Sequence, residues 1–118
     1  MDNRSIGIFD SGIGGLTSAA YIMEELPKER IVFFGDTART PYGSKSPEKI
    51  RQFSMQIGQF MADNDVKMMV IACNTISATA LEDLRERFPD IPIIGVISPT
   101  ARVIANHCSP DAQIGIMA

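Results

Sequence analysis

A chain of 118 residues with 45% hydrophobic side chains is long enough to bury one core and too short to build several. Its net charge of −3 excludes the basic footprint of a nucleic-acid binder, and no apolar run approaches the length that crosses a bilayer. Met1–Ser5 lacks the apolar segment of a secretory leader, so the two cysteines are read as reduced thiols in a cytoplasm; neither they nor the adjacent pair His107-Cys108 have metal-ligand spacing.

In chain order, Ile6–Phe9 reads as a first strand and Gly12–Gly15 as a tight turn. Leu16, Ala19, Ala20, Met23 and Leu26 mark the buried face of a helix that stops near Pro27. Ile31–Phe34 reads as a second strand, followed by a loop from Gly35 to Lys45. Ser46-Pro47 is a cap with proline at the first helical position. Ile50, Phe53, Ile57, Phe60 and Met61 then form the clearest amphipathic stripe. Met68–Ala72 is a third strand, of the continuous apolar kind that suits a parallel sheet. Leu81, Leu84 and Phe88 repeat at helical spacing, Pro92–Ile97 is a fourth strand, and Pro99–His107 is a helix leading to a fifth strand at Ile114–Ile116.

Strands that alternate with helices predict an α/β fold, a parallel sheet flanked by helices on both faces. Ligands of such sheets bind beyond the carboxyl ends of the strands. The small polar residues follow that rule: Asp10-Ser11-Gly12 after strand one, Gly35-Asp36-Thr37 after strand two, Cys73-Asn74-Thr75 after strand three and Ser98 after strand four. All four groups are expected to converge on one edge.

Cys73 carries the most chemistry. It stands between a strand and a helix amino terminus, where free N–H groups and the helix dipole stabilise anions and suit a thiolate acting as nucleophile or proton-transfer base. A buried, inert cysteine would occupy the same place. Asp10 is either a turn or capping residue, or a base or orienting carboxylate facing Cys73. Gly12-Ile13-Gly14-Gly15 is a partial dinucleotide fingerprint with Thr17 in place of its third glycine, and Asp36 lies at a ribose-contact distance along the chain. Those glycines equally give a tight turn that exposes N–H groups to a carboxylate. Pro41-Tyr42-Gly43 is a turn in which Tyr42 could close over a ligand. Arg39, Lys45, Lys49 and Arg51 read as a solvated face, with contact between Arg39 and a ligand carboxylate the lesser alternative.

Taken together, Gly7–Leu16 (GIFDSGIGGL), Phe34–Arg39 (FGDTAR), Pro41-Tyr42-Gly43 and Ile71–Thr75 (IACNT) closely resemble the glutamate racemases of the aspartate/glutamate racemase superfamily. The resemblance covers nearly the whole chain and implies a cofactor-independent enzyme with two similar α/β domains and a cleft between them. It implies that residues 1–97 are the first, incomplete domain, and that 98–118 start a second. It further implies that Asp10, Ser11, Tyr42, Gly43, Asn74 and Thr75 contact glutamate, and that Cys73 is one of two catalytic cysteines interconverting L- and D-glutamate for peptidoglycan. Ile76-Ser77 stands where the family often has Ala-Thr. The family's second cysteine, in a Gly-Cys-Thr-His motif, is absent from this sequence, and Cys108 lacks that setting. The expectation is therefore the amino-terminal part of such an enzyme, inactive alone and a candidate homodimer through its exposed cleft face. A racemase of aspartate or another amino acid, a non-catalytic dimerising module and a nucleotide-binding domain are the alternatives.

Overall fold

The computed structural model describes residues 1–117. Its strands are β1 (Ile6–Asp10), β2 (Ile31–Gly35), β3 (Met68–Ile71) and β4 (Ile93–Ile94). Its helices are α1 (Leu16–Glu25), α2 (Pro47–Asp63), α3 (Asn74–Thr79), α4 (Leu81–Arg87) and α5 (Ile97–His107). The strands form one parallel sheet, as the alternation of elements predicts, and the structure sets their order as β2-β1-β3-β4.

Alternation along the strands divides the core between the two faces. Ile6 and Ile8 pack with Ala19 of α1 on one side. Phe9, Met69 and Ile71 pack with Ile50, Ile57 and Met61 of α2, Ile76 of α3 and Leu84 of α4 on the other. The second face is the thicker one. Each fully buried Ile, Leu or Met there contributes about 1.5–3 kcal/mol relative to leaving it in water.

Helix α2 starts where its sequence signals: Ser46 Oγ accepts the Lys49 N–H at 3.3 Å, Pro47 occupies the first turn, and Ile50, Ser54, Ile57, Gly58 and Met61 face inward. Of the predicted stripe, Phe53 is half-buried and Phe60 is exposed, its ring beside Phe34. The chain leaves α2 through Asp65, whose φ of 51° is the left-handed turn that follows many helix ends.

Three sequence expectations need correction. In α1 the predicted stripe is displaced: Ala19 is buried and Ile22 half-buried, while Leu16, Ala20, Met23 and Leu26 are exposed. The cause lies at the helix start. A Cβ on Gly15 would stand 2.8 Å from Asp10 Cβ and 3.0 Å from Ala72 Cβ, and this close approach fixes how the helix is rolled on the sheet. Strand four is confined to Ile93–Ile94, because past Gly95 the Val96 N–H turns to Ser77 Oγ at 3.3 Å and Ile97 already begins α5. The fifth strand does not form: Ile114–Ile116 have no strand partner among the described residues and are exposed.

Candidate functional site at the β1/β3 crevice

The chain runs from β1 outward to β2, then returns across β1 to β3 on the other side. The carboxyl ends of β1 and β3 thus flank the point where the winding direction reverses, the place where open α/β sheets leave a crevice. A cavity of about 450 Å³ opens there, lined by Asp10, Ser11, Gly14, Ala72, Cys73, Asn74 and Thr75.

Asp10 ends β1 and is 8% exposed. Its Oδ1 accepts the Ser11 N–H and its Oδ2 the Gly15 N–H, both at 2.8 Å. The carboxylate therefore fixes the turn into α1, the reading that needs no ligand. Each oxygen keeps a lone pair that could accept a further donor from the crevice.

Cys73 is the N-cap residue of α3, a position that favours Ser, Thr, Asp or Asn. Its backbone is extended (φ −93°, ψ 124°) and its Sγ accepts the Ile76 N–H at 3.4 Å. The thiol also donates to Ser11 Oγ at 3.3 Å. Only 6% of the residue is exposed. The sulfur is thus held between a hydroxyl from the β1 turn and an N–H of its own helix, two groups that can both donate to a thiolate once the hydroxyl rotates. Asn74 is exposed and Thr75 half-buried beside it.

Tyr42 and Gly43 do not line this cavity. Tyr42 is 1% exposed and packs in the same apolar cluster as Cys73. Its hydroxyl donates to Asp36 Oδ2. Burial first, and then that bond, raise its phenol far above the ordinary range, against an opposing pull from Arg39. Gly43 is exposed with open space around its Cα.

The expected convergence of four polar groups is halved. Those after β1 and β3 meet, whereas the carboxylate of Asp36, after β2, turns to Tyr42 and Arg39. Ser98 lies in α5 and lines a different groove with Ser77, Arg85 and Arg102. Arg39 is committed internally: Nε donates to Asp36 Oδ2 at 2.6 Å, Nη1 to Gln56 Oε1 at 2.5 Å, and its guanidinium lies 3.9 Å over the Phe53 ring. Gly14, from the glycine turn, and Ala72 also line the crevice. For Ala72, its place at the end of β3 was the available signal.

Residues 18–118 match the Asp/Glu/Hydantoin racemase family, and the chain belongs to it. Within that family its similarity is to glutamate racemases. It is 52% identical over 115 residues to the glutamate racemase of Neisseria meningitidis serogroup B, covering 98% of this chain and 42% of that one. With the glutamate racemase of Corynebacterium diphtheriae it shares 54% over 117 residues, covering 99% and 43%. The crystal structure of glutamate racemase from Francisella tularensis in complex with D-glutamate superposes with a TM-score of 0.86 at 49% identity, over 90% of this chain and 40% of that one. The chain therefore spans about two-fifths of the length of these relatives.

Proposed function

We propose that this chain supplies one half of the active site of a cofactor-independent glutamate racemase, with Cys73 as the acid/base on one face of the substrate. The observation that carries the reading is the place of Cys73, a helix-capping thiol at the β1/β3 crevice bonded to Ser11 and the Ile76 N–H. Similarity to glutamate racemases, one of them described with D-glutamate bound, points to the substrate.

In this mechanism the Cys73 thiolate takes the Cα proton, and the electron pair left behind spreads into the α-carboxylate. A thiol on the opposite face then gives its proton to Cα, which inverts the centre. The reverse reaction exchanges the two roles. Ser11, Asn74 and Thr75 hold the substrate carboxylates, and Asp10 takes its ammonium group. Tyr42 and Gly43 contribute from the neighbouring loop. Holding reactant and base in one geometry lowers the barrier without an external electron sink.

The second base comes from residues beyond this sequence. Residues 1–97 are the incomplete first α/β domain of the two-domain enzyme, and 98–118 the truncated start of the second. The product serves peptidoglycan synthesis in the cytoplasm, where thiols stay reduced.

The test is a chimera in which this chain replaces the matching two-fifths of a longer glutamate racemase relative, assayed by circular dichroism of D- and L-glutamate. The chimera should racemise glutamate in both directions in preference to aspartate, and Cys73→Ser should abolish it. The 118-residue chain alone should not racemise. A folded but inactive chimera, or an active serine variant, contradicts the reading.

The exposed Tyr21 and Met23 of α1 and Val103 of α5 favour a second property, self-association. Light scattering should then give a mass that rises with concentration; a constant monomer mass excludes it.

A further inference from the structure

We propose that Asp36 is a positioning residue for the site, holding the Tyr42–Gly43 corner in place through the Tyr42 hydroxyl and the Arg39 guanidinium. The inference rests on the functional reading above, which makes Tyr42 and Gly43 substrate contacts.

By topology Asp36 follows the edge strand β2, on the side of β1 away from the crevice. It is nevertheless 5% exposed, and a carboxylate so buried needs partners. Its backbone N–H donates to Asp10 O at 3.0 Å, which fastens the end of β2 to the residue that opens the site. Its Oδ2 receives the Tyr42 hydroxyl and, at 2.6 Å, Arg39 Nε.

Arg39 and Tyr42 then fasten the loop to α2. The guanidinium lies 3.9 Å over the Phe53 ring, and the Tyr42 and Phe53 ring centroids are 5.7 Å apart. One carboxylate thus links the β1 turn, the loop and a helix.

This arrangement changes what Tyr42 can offer a ligand. Its hydroxyl is already committed to Asp36, so the corner contributes peptide groups rather than a phenol. Gly43, exposed and uncrowded, is the open peptide. The orientation of that peptide depends on the anchor one residue earlier. Phenol burial supports the same picture, since an unanchored hydroxyl would be costly at that depth.

The test uses the full chain and isothermal titration with D-glutamate. Tyr42→Phe keeps the ring packing and removes the link, and Asp36→Asn removes the charged acceptor. Each should weaken D-glutamate binding by about tenfold, the scale of one lost hydrogen bond to a charged group. Because they cut the same link, the double variant should be little weaker than either single one. Lys67→Met is the control: it removes the ion pair to Glu29 at 2.5 Å, at the amino end of β3, and should leave affinity unchanged. Wild-type affinity in both Asp36→Asn and Tyr42→Phe overturns the proposal.

Amide hydrogen exchange without ligand gives an independent readout. The Lys45 N–H donates to Tyr42 O at 3.0 Å, and its exchange should quicken about tenfold in Asp36→Asn, while that of Ala72 stays unchanged. If the wild-type chain binds no D-glutamate, the functional reading fails and exchange alone decides the role of Asp36. Unchanged Lys45 exchange overturns it.

Discussion

Cys73 and Cys108 occupy opposite kinds of helix end. Cys73 caps the amino terminus of α3, is nearly buried, and has its sulfur between the Ser11 hydroxyl and the Ile76 N–H. Cys108 closes the carboxyl terminus of α5 and is exposed. Helix amino termini present free N–H donors and carboxyl termini do not, so only the first setting surrounds the sulfur with donors. Exposure ranks them the other way. Cys73 lines the crevice but is only 6% exposed, and a bulky alkylating reagent should reach Cys108 first. The donors around the sulfur, not its exposure, set Cys73 apart from Cys108.

The junction that brings Ser11 to Cys73 can be broken from a distance. A Cβ on Gly35 would stand 2.3 Å from Gly12 O, a backbone atom with no freedom to move aside. Gly35→Ala should therefore cost about 3 kcal/mol or more, at or above the usual range for overpacking. Gly43→Ala, with nothing within 4 Å, should change stability by less than about 0.5 kcal/mol. Urea unfolding of the two variants measures the contrast.

An intermediate effect comes from the phenol behind the site. The folded state raises Tyr42 above its ordinary value of 10.0, first through burial and then through Asp36. The unfolded chain ionises it near that ordinary value, so the folded state binds the proton more tightly. Its contribution to stability is full below pH 10 and fades as the pH climbs above it. Tyr42→Phe should flatten that alkaline decline in thermal melts followed by circular dichroism. Tyr21→Phe, at an exposed tyrosine, should not.

The smallest effects sharpen the cysteine comparison itself. Cys73→Ser keeps an N-cap acceptor and should change stability by under about 1 kcal/mol, whereas Cys73→Val loses the cap at a cost of about 1 kcal/mol. Cys108→Ser should stay within about 0.5 kcal/mol, as exposed positions usually do. Equal losses in Cys73→Val and Cys108→Ser would remove the structural distinction between the two thiols.

The alternation of apolar strands and amphipathic helices made the parallel sheet legible, because periodicity follows directly from which faces are buried. Cys73 at a helix start was legible for the same reason. The pairing of β1 with β3 was not: strand order is a tertiary property, and only that pairing brings Ser11 to Cys73. The roll of α1 depends on the contact of Gly15 with Asp10 and Ala72, which no helical period encodes. Asp36 illustrates the remaining gap. Its place after β2 suggested the ligand edge, but a side chain's direction depends on partners elsewhere in the chain, here Arg39 and Tyr42.

Under the proposed function, Cys73 faces bound glutamate and Cys108 does not. Peptide-resolved mass spectrometry of the chain, alkylated with iodoacetamide at increasing D-glutamate, measures this directly. Labelling of Cys73 should slow in a saturable way while that of Cys108 stays constant. Unchanged labelling of Cys73 at saturating D-glutamate, or protection of Cys108 instead, would contradict the account.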